Sequence, residues 1–340
     1  MNLIAKTHIG DVTLANQVAL APMAGVSDRT YRRLAKEQGV GFVCTEMISA
    51  KGLIYHNEKT LAMLRPSPDE HPVAVQLFGS EPEIMAEAAR LTAAQGADVI
   101  DINMGCPVMK VVKNGEGSAL LRTPERAAAI VKAMAAATTV PITAKIRLGW
   151  DDSSRNAVDV ARRLEAAGAA AITVHGRTRE QMYHGEADWD AIAQVAAAVQ
   201  IPVWGNGDIA DGPTAARRLR ESGCAGIAVG RAAQGNPFVF RDIITYLRDG
   251  KTVSASAEER IDMCMRHLRL LAQDKGEAVA VREMRTHVVG YLRGLFGATG
   301  VRRDLMPLVS VAAWEERLAA YRLTLTQSLP ATELCIDGQR

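Results

Sequence analysis

Short apolar segments alternate with longer segments of helical period over the first 251 residues of the chain. Each apolar segment is shorter than a typical helix, several are rich in Val and Ile, and most are bounded by Gly or Pro. Such segments are typical of buried β-strands. The eight predicted strands are 18–25, 41–47, 72–79, 98–105, 141–149, 170–176, 202–208 and 226–232.

Helices are predicted between these strands, because apolar residues recur there at helical spacing. Several of these segments begin with Asp, Glu, Thr or Pro and end with Gly, which is the asymmetry expected of helix ends. The clearest helices lie within 81–96, 123–139, 156–168 and 211–223. The connection after Met47 is too irregular for its helix to be placed.

Eight strands that are each followed by a helical segment predict an α/β fold, a (β/α)8 TIM barrel. The alternative is a doubly wound Rossmann sheet, but its nearest glycine fingerprint, at 115–120, follows a basic loop and lacks the third glycine. After residue 251 the alternation stops and only helical period continues. We therefore predict a barrel catalytic domain over 1–251, a smaller all-helical domain over 252–325 and a flexible tail over 326–340.

Composition narrows the functional classes. The 340 residues are 48% hydrophobic and 23% charged, as in ordinary globular proteins. Five scattered cysteines without a CxxC pair, and seven histidines outside ligand spacing, predict neither disulfides nor a metal site. No apolar run of about eighteen residues and no signal peptide are present, so we expect a cytoplasmic protein without a membrane span. A net charge of +2 means that a nucleic-acid partner requires a local basic surface.

Cys106 is the first candidate for chemistry. A structural cysteine normally lies within an apolar run, because it is one of the most readily buried side chains. Cys106 instead lies between Gly105 and Pro107, where the predicted strand 98–105 gives way to a loop rich in Lys and Gly. Its place at a strand end therefore predicts a reactive rather than a structural thiol.

The other strand ends are also unusually polar. Active groups of a TIM barrel lie at the carboxyl ends of its strands. One polar residue within an apolar run is most often a satisfied core residue, but several at one face favour a site. The strand ends carry Met23, Ala24, Gln76, Asn103, Cys106, Lys145, Arg147, His175, Asn206, Asp208, Gly230 and Arg231.

The seventh and eighth strand ends add a separate indication. Loops at these positions of a TIM barrel often bind a phosphate through backbone N–H groups. Gly205, Gly207 and Gly230 allow close backbone approach, and Arg231 offers a forked charged contact. Together they predict a cofactor or substrate that bears a phosphate.

Seven motifs, in order, resemble those of the tRNA-dihydrouridine synthases, in particular their bacterial B-type subgroup. The resemblance runs from about residue 14 to 325, and the Asn-x-Gly-Cys-Pro element at 103–107 is its most specific part. The motifs read APMAGVSDRTYR, VQLFGSEPE, DINMGCPVMKVVKNGEGSALL, TAKIRLGW, VHGRTREQMYHGEADW, GNGDI and AVGRAAQGNPFVF.

This resemblance implies reduction of a uridine in tRNA to 5,6-dihydrouridine by a bound FMN, with NADPH as the transient reductant. Asn103 would then help to place the uracil, and Gln76, Lys145 and His175 would hydrogen-bond the flavin. Pro22, Met23 and Ala24 would line the flavin, and Asn206, Gly207, Asp208, Gly230 and Arg231 would hold its phosphate side.

The chemistry assigns one role to Cys106. Hydride transfer from flavin N5 to C6 of the uracil leaves negative charge over C5 and O4, which a proton at C5 must quench. A cysteine with its ordinary pKa of about 8.5 is mostly protonated near neutrality, so it suits an acid. The hypothesis is that Cys106 donates this proton from the face of the base opposite the flavin.

A basic cluster in the predicted helical domain is the candidate surface for RNA phosphates. Between residues 282 and 303 the charged residues are five arginines and the single acid Glu283. Arg177, with Lys110, Lys113 and Arg179, would extend this surface to the barrel mouth. The arginines are Arg282, Arg285, Arg293, Arg302 and Arg303.

Other functions stay open at this point. A small-molecule FMN oxidoreductase of the dihydroorotate-dehydrogenase type would share the chemistry but would leave the helical domain unexplained. A barrel that binds tRNA without chemistry would not need a complete set of cofactor-facing residues. We expect the protein to act as a monomer, without a metal ion.

Overall fold

The computed structural model describes residues 2–328. The chain begins with an antiparallel hairpin of strands β1 (Thr7–Ile9) and β2 (Val12–Leu14). Ile9 and Leu14 are buried among side chains of the barrel interior, including Phe42. The hairpin therefore closes the amino-terminal end of the barrel with an apolar plug.

Eight parallel strands form a closed barrel, which confirms the predicted TIM-barrel fold. The strands are β3 (Val18–Leu20), β4 (Phe42–Cys44), β5 (Ile48–Ser49), β6 (Val73–Phe78), β7 (Val99–Met104), β8 (Ile142–Arg147), β9 (Ala171–His175), β10 (Val203–Asn206) and β11 (Gly226–Val229). The barrel is closed by the pairings of β11 with β3 and of β4 with β6, while the two-residue strand β5 adds to β6.

Helices follow the barrel strands, and several begin at a carboxylate cap. Asp28, Asp188 and Asp211 each accept a hydrogen bond from a backbone N–H of the first helical turn. The helices are α1 (Arg29–Glu37), α2 (Ala50–Ile54), α3 (Glu58–Leu64), α4 (Pro82–Ala94), α5 (Met109–Val112), α6 (Pro124–Ala137), α7 (Ala157–Ala166), α8 (Trp189–Ala198), α9 (Gly212–Ser222) and α10 (Phe238–Asp249).

The irregular connection after Met47 contains two short helices instead of one. α2 ends at Ile54, His56 has a positive φ of 52°, and Asn57 caps the start of α3. A residue in the left-handed region of backbone conformation cannot continue a right-handed helix. The helical spacing of apolar residues is therefore interrupted at His56. That interruption is the reason no single helix could be placed there from the sequence.

Among the described residues, a second compact unit comprises Ala233–Phe238 and residues 253–328. Its core is formed by buried side chains of four helices, with Trp314 and Leu268 fully buried. The helices are α11 (Ala257–Lys275), α12 (Glu277–Tyr291), α13 (Ala298–Leu305) and α14 (Val311–Ser328).

The short segment Ala233–Phe238 departs from the predicted division at residue 251. A Cβ added at Gly235 would lie 1.8 Å from the backbone oxygen of His287, and one added at Gly290 would lie 1.9 Å from that of Gln234. Two glycines thus let this segment cross α12 at backbone contact distance, which hydrophobic periodicity does not reveal.

The predicted tail begins inside a helix, because α14 continues to Ser328. Residues 329–340, which include Cys335, lie outside the described residues. Within residues 2–328 no helix is long and apolar enough to span a membrane. The same residues contain no cluster of His, Cys, Asp and Glu side chains suited to a metal ion.

Candidate active site

Cys106 lies at the carboxyl end of β7, half-buried, on a backbone that is held from both sides. The Asn103 side-chain oxygen accepts from the N–H of Cys106 at 2.9 Å and from that of Gly105 at 3.3 Å. The backbone oxygen of Cys106 accepts from Ser118 N at 3.1 Å and from Ser118 Oγ at 2.9 Å. These bonds fix the backbone of Cys106 at the strand end predicted for it.

Gly117 makes this loop possible. Its φ is +60°, and a Cβ added there would lie 2.9 Å from the backbone oxygen of Cys106. A left-handed backbone and a close approach both favour glycine at this position. The glycine of the basic loop therefore serves the packing of the Cys106 segment.

The other described cysteines have different surroundings. Cys44, Cys224 and Cys264 are buried, and burial raises the pKa of each thiol. For Cys44 the negative charge of Asp101 adds to the effect. Among the described cysteines, only Cys106 is half-buried rather than buried.

A buried carboxylate lies below the site. Asp101 accepts from Gln76 Nε2 at 2.7 Å and from Thr143 Oγ1 at 2.6 Å. Burial raises its pKa, and these two hydrogen bonds together with nearby Lys145 oppose the rise. Sequence analysis did not select Asp101, although an acidic residue inside the apolar run 98–105 was a usable signal.

Lys145 on β8 is held by Asn206 on β10, two strands along the barrel. Its Nζ donates to Asn206 Oδ1 at 3.1 Å, and Asn206 Nδ2 donates to the backbone oxygen of Ala228 at 2.7 Å. Burial, and then the positive charge of Arg147, lower the pKa of Lys145 to about 8, while Asp101 partly counteracts them. Lys145 is therefore mostly protonated at neutral pH and neutral in moderately alkaline solution.

His175 is neutral in this environment. Burial, followed by the charges of Lys145 and neighbouring arginines, lowers its pKa far below the usual range. Its Nε2 lies 3.3 Å from Arg177 Nη1, and a guanidinium only donates, so Nε2 is the acceptor. The proton then resides on Nδ1, which makes His175 a donor through that atom.

Arg177 lies in the wall of the site rather than on the surface predicted for it. Its side chain is 1% exposed, and its guanidinium donates to Asp208 at 2.7 and 2.9 Å and to the backbone oxygen of His184 at 3.1 Å. Asp208 also accepts from Arg231 Nη2 at 2.7 Å. Burial alone would raise the pKa of Asp208, but the bonds from Arg177 and from Ala187 N leave that pKa lowered.

The ends of β3 and β11 leave open space. Pro22 and Met23 are half-buried and Ala24 is exposed. A Cβ added at Gly230 would meet only Met23 Sδ at 3.9 Å and Asn206 Nδ2 at 4.0 Å. Packing alone does not require glycine at position 230, unlike at Gly207, where an added Cβ would lie 2.5 Å from that of Ala187.

Arg147 and Tyr183 complete the mouth; Arg147 was named among the polar strand ends but given no role, and Tyr183 was not selected from the sequence. Arg147 donates to the backbone oxygens of Gly105 at 2.7 Å and of Thr178 and Met182 at 2.9 Å, so it ties two loops together. Tyr183 is 53% exposed, with the guanidinium carbons of Arg147 and Arg231 at 5.7 and 5.3 Å from its ring centroid. Their roles depend on tertiary contacts that residue type alone does not indicate.

A cationic and aromatic strip lies beside the Cys106 loop. The guanidinium carbons of Arg122 and Arg179 lie 5.0 and 4.6 Å from the ring centroid of Trp150. Arg179 also contacts Met109, which is 64% exposed three residues after Cys106.

The helical unit carries the other predicted arginines. Arg282 and Arg293 are exposed, whereas Arg285 is half-buried and donates weakly to the backbone oxygen of Leu308 at 3.5 Å. Between Arg293 and α13 lies Phe296, whose side chain is 79% exposed. Further along, Arg302 donates to Thr299 Oγ1 at 3.1 Å, and Arg303 lies 3.9 Å from Asp304 with 85% of its side chain exposed.

Comparison with known proteins identifies relatives over most of the chain. The family model "Dihydrouridine synthase (Dus)" matches residues 19–325. The tRNA-dihydrouridine synthase B of Pseudomonas aeruginosa is 44% identical over 301 residues, which cover 88% of this chain and 90% of that protein. The protein of the same name from Pseudomonas putida is 39% identical over 337 residues, covering 99% of both.

Solved structures share the barrel fold. Morphinone reductase superposes with a TM-score of 0.54 at 14% identity, covering 75% of this chain and 91% of that one. A variant of NCR from Zymomonas mobilis superposes with a TM-score of 0.56 at 15% identity, covering 76% and 95%. At such identities the likeness concerns the fold alone.

Proposed function

The chain belongs to the dihydrouridine synthase family, and from this premise we propose that it reduces a uridine of tRNA to 5,6-dihydrouridine, using bound FMN and NADPH. The predicted assignment to this family is confirmed by the family model and by relatives of about 40% identity. The enzyme is accordingly an oxidoreductase. Its relatives carry the name tRNA-dihydrouridine synthase B, which supports tRNA as the substrate.

The residues at the barrel mouth fit a flavin phosphate. The backbone of Gly230 faces open space, since a Cβ added there would contact only Met23 and Asn206. A ligand can therefore approach this backbone closely. Arg231 lies next in the chain, and its guanidinium is oriented by Asp208. The Asp208 carboxylate, predicted to hold the phosphate, is occupied by two arginines, and we assign it the orientation of Arg231 instead.

The polar residues above the barrel core fit the flavin ring. When bound, FMN supplies hydride chemistry at its N5. Lys145 offers a buried positive charge and His175 offers its Nδ1 proton, so both would serve as donors to the carbonyl-rich pyrimidine end of the ring. A cation at that end favours an anionic reduced cofactor.

Cys106 would supply the proton that completes uridine reduction. The hydrogen bonds from Asn103 and Ser118 fix the Cys106 backbone, and the half-buried side chain lies at the mouth. General acid catalysis requires a protonated group within reach of the reacting carbon. The observation that carries the proposal is this thiol, held at the same barrel end as Lys145, His175 and Gly230.

Two surfaces would bind the tRNA backbone. The mouth strip, defined as Lys110, Lys113, Arg122, Trp150 and Arg179, borders the Cys106 loop. It combines three exposed cations and the half-buried Arg179 with an aromatic ring. A uridine must be unstacked to reach the site, at a cost of a few kcal/mol, and backbone contacts offset that cost.

The second surface lies on the helical unit and is defined as Arg282, Arg293, Phe296, Arg302 and Arg303. It carries exposed cations and one exposed aromatic ring, a combination typical of surfaces that bind RNA. This surface favours tRNA over the alternative of a small-molecule oxidoreductase of the dihydroorotate-dehydrogenase type, which has no use for it. The preference for NADPH over NADH and the monomeric state stay predictions.

One experiment separates the two functions. The purified protein should show a flavin absorbance spectrum that NADPH bleaches, and unmodified tRNA should restore it with formation of dihydrouridine. Free uridine should restore it far more slowly. Efficient reoxidation by a free pyrimidine but not by tRNA would favour the small-molecule function, and a colourless protein that does not take up FMN would exclude both.

A further inference from the structure

We propose that Asp101 is a positioning residue that fixes, through Gln76 and Asn103, both the hydrogen-bonding direction of the uracil pocket and the Cys106 loop. Asp101 itself lies in the barrel interior, 6% exposed, one pleat below the mouth. The reading of the pocket as a uracil site rests on the proposed function. The coupling between Asp101 and Cys106 rests on the hydrogen bonds alone.

The hydrogen bonds that lead from Asp101 through Gln76 and Asn103 to the Cys106 loop form a relay. Asp101 determines which group donates and which accepts at each step of this relay. An ionised carboxylate only accepts hydrogen bonds. Both oxygens of Asp101 are engaged, Oδ1 by Thr143 and Oδ2 by Gln76. Burial raises the pKa of Asp101, while the hydrogen bonds from Gln76 and Thr143 and the nearby positive charge of Lys145 oppose that rise; the relay as proposed has this carboxyl ionised. Asp101 therefore requires a donor from each of its neighbours.

Gln76 transmits this requirement upward. Its side-chain amide could be turned either way, since its nitrogen and oxygen have nearly the same shape. The Asp101 carboxylate removes that freedom, because only Nε2 can face it. Oε1 must then face the other way, where it accepts from Asn103 Nδ2 at 2.9 Å. The side chain is 1% exposed, so water does not offer an alternative partner.

Asn103 receives the same constraint. Since its Nδ2 faces Gln76, its Oδ1 faces the turn and accepts from Gly105 N and Cys106 N. Both lone pairs of Oδ1 are thus engaged. Among its contacts with the described residues, Asn103 uses Oδ1 and one N–H of Nδ2, so the second N–H of Nδ2 is left for a ligand. Toward a ligand Asn103 is therefore a donor and not an acceptor.

This polarity matches uracil. A donor at Asn103 pairs with a ring carbonyl oxygen, and such an oxygen gains negative charge as hydride arrives at C6. A donor held in place strengthens its bond as that charge develops, which lowers the barrier. With the amide reversed, Asn103 would present an oxygen to the same carbonyl and would release the Cys106 backbone.

Two substitutions of Asp101 distinguish the need for a hydrogen-bond acceptor facing Gln76 from the need for a negative charge. Asp101→Asn can keep an oxygen toward Gln76 while its amide nitrogen faces the Thr143 hydroxyl, which accepts as well as donates. Asp101→Leu has a similar volume and removes the acceptor. We expect Asp101→Leu to lower the rate of flavin reoxidation by tRNA about 100-fold, as for a displacement of reacting groups by about 1 Å. Asp101→Asn should restore most of that rate, while bleaching by NADPH changes little in either variant.

A measurement without tRNA tests the relay directly. Alkylation of Cys106 by iodoacetamide, followed by peptide mass spectrometry, reports how firmly its loop is held. The rate should rise severalfold in Asp101→Leu and return toward wild type in Asp101→Asn. Cys44→Ala, which alters another buried side chain of the barrel interior outside the relay, serves as the control for general loosening and should leave the Cys106 rate unchanged.

A double-mutant cycle completes the test. If Asp101 acts through Asn103, the reoxidation losses of Asp101→Leu and Asn103→Ala are strongly non-additive. Additive losses, or equal alkylation rates in wild type and Asp101→Leu, would overturn the proposal. Because alkylation needs neither FMN nor tRNA, an unchanged rate refutes the relay even if the enzyme reduces uridine. A raised rate supports it even if the substrate differs.

Discussion

The barrel mouth and the arginine-bearing surface of the helical unit use polar side chains in opposite ways. At the mouth, Arg177 is 1% exposed and paired with Asp208, and Lys145 is held by Asn206. On the helical unit, Arg303 is 85% exposed, and Arg282 is exposed. The difference fits the two proposed roles, because a reaction needs groups held in fixed positions, whereas a phosphate backbone can be bound by exposed positive charge.

The largest expected effect tests the fixed side of this comparison. Cys106→Ala should lower reoxidation of the reduced flavin by tRNA by about 10²–10⁴-fold, the usual contribution of a general acid. Reduction by NADPH should be unchanged, because the thiol takes no part in it. Stopped-flow absorbance of the flavin measures both rates. Cys224→Ala removes a buried thiol and should behave as wild type; a wild-type rate in Cys106→Ala would refute the acid role.

A smaller effect is expected for the charge of Lys145. The pKa of Lys145 is lowered to about 8, so the charge is present below that pH and is lost as pH rises through it. FMN affinity of the apoprotein, measured by fluorescence quenching, should therefore fall across this range. Lys145→Met should weaken binding by roughly 10- to 100-fold at pH 7, the contribution of a charged hydrogen bond of about 1.5–3 kcal/mol.

The pH dependence supplies the decisive comparison. In Lys145→Met the affinity should show no decrease around pH 8. Lys145→Arg should retain the charge at higher pH and move the decrease to a more alkaline range. An equal decrease in wild type and Lys145→Met would assign the titration to another group.

The mobile side of the comparison predicts a change in salt dependence. Replacing Arg282 and Arg293 together by Gln should weaken tRNA binding about tenfold at low salt. It should also flatten the plot of log affinity against log salt concentration by about one unit for each phosphate that these side chains neutralise. Arg90→Gln with Arg162→Gln provides a charge-matched control on barrel helices. An unchanged slope in the first pair would exclude these arginines from RNA binding.

The smallest effect concerns the exposed ring. Phe296→Ala should lower tRNA affinity by about 1 kcal/mol, the lower end of values for one base stacked on an aromatic side chain. The salt slope should not change, because stacking releases no counterions. Leu323→Ala, a second exposed apolar residue of this unit, is the matched control. Equal losses in both variants would indicate a general effect of apolar surface.

Local pattern accounts for most of the fold. The eight barrel strands lie within the short apolar segments, bounded by Gly or Pro, that predicted them. Such segments can be recognised because they depend only on residues that are neighbours in the sequence. The segment Ala233–Phe238 was not assigned to the helical unit, because its packing against α12 joins residues more than fifty positions apart. Such packing leaves no periodic trace.

The site shows the same limit. Cys106, Lys145 and His175 could be proposed for the site from the sequence, because reactive or charged residues at strand ends are unusual. Asp101 was missed because its role follows from what its oxygens accept, and Arg177 was assigned to the surface because its buried pairing with Asp208 is not visible in sequence. Residue type predicts capacity for chemistry, whereas hydrogen-bond direction requires coordinates.

The apolar hairpin of β1 and β2 closes the amino-terminal end of the barrel and leaves only the opposite end open. With Ile9 and Leu14 filling the floor, whatever reaches the barrel interior must enter and depart through the opposite rim. In the proposed reaction a nicotinamide and a nucleobase would therefore use one opening in turn instead of approaching from two sides. Plots of reciprocal rate against reciprocal NADPH concentration, at several fixed tRNA concentrations, should then be parallel lines. That pattern is expected when one substrate must leave the site before the other binds.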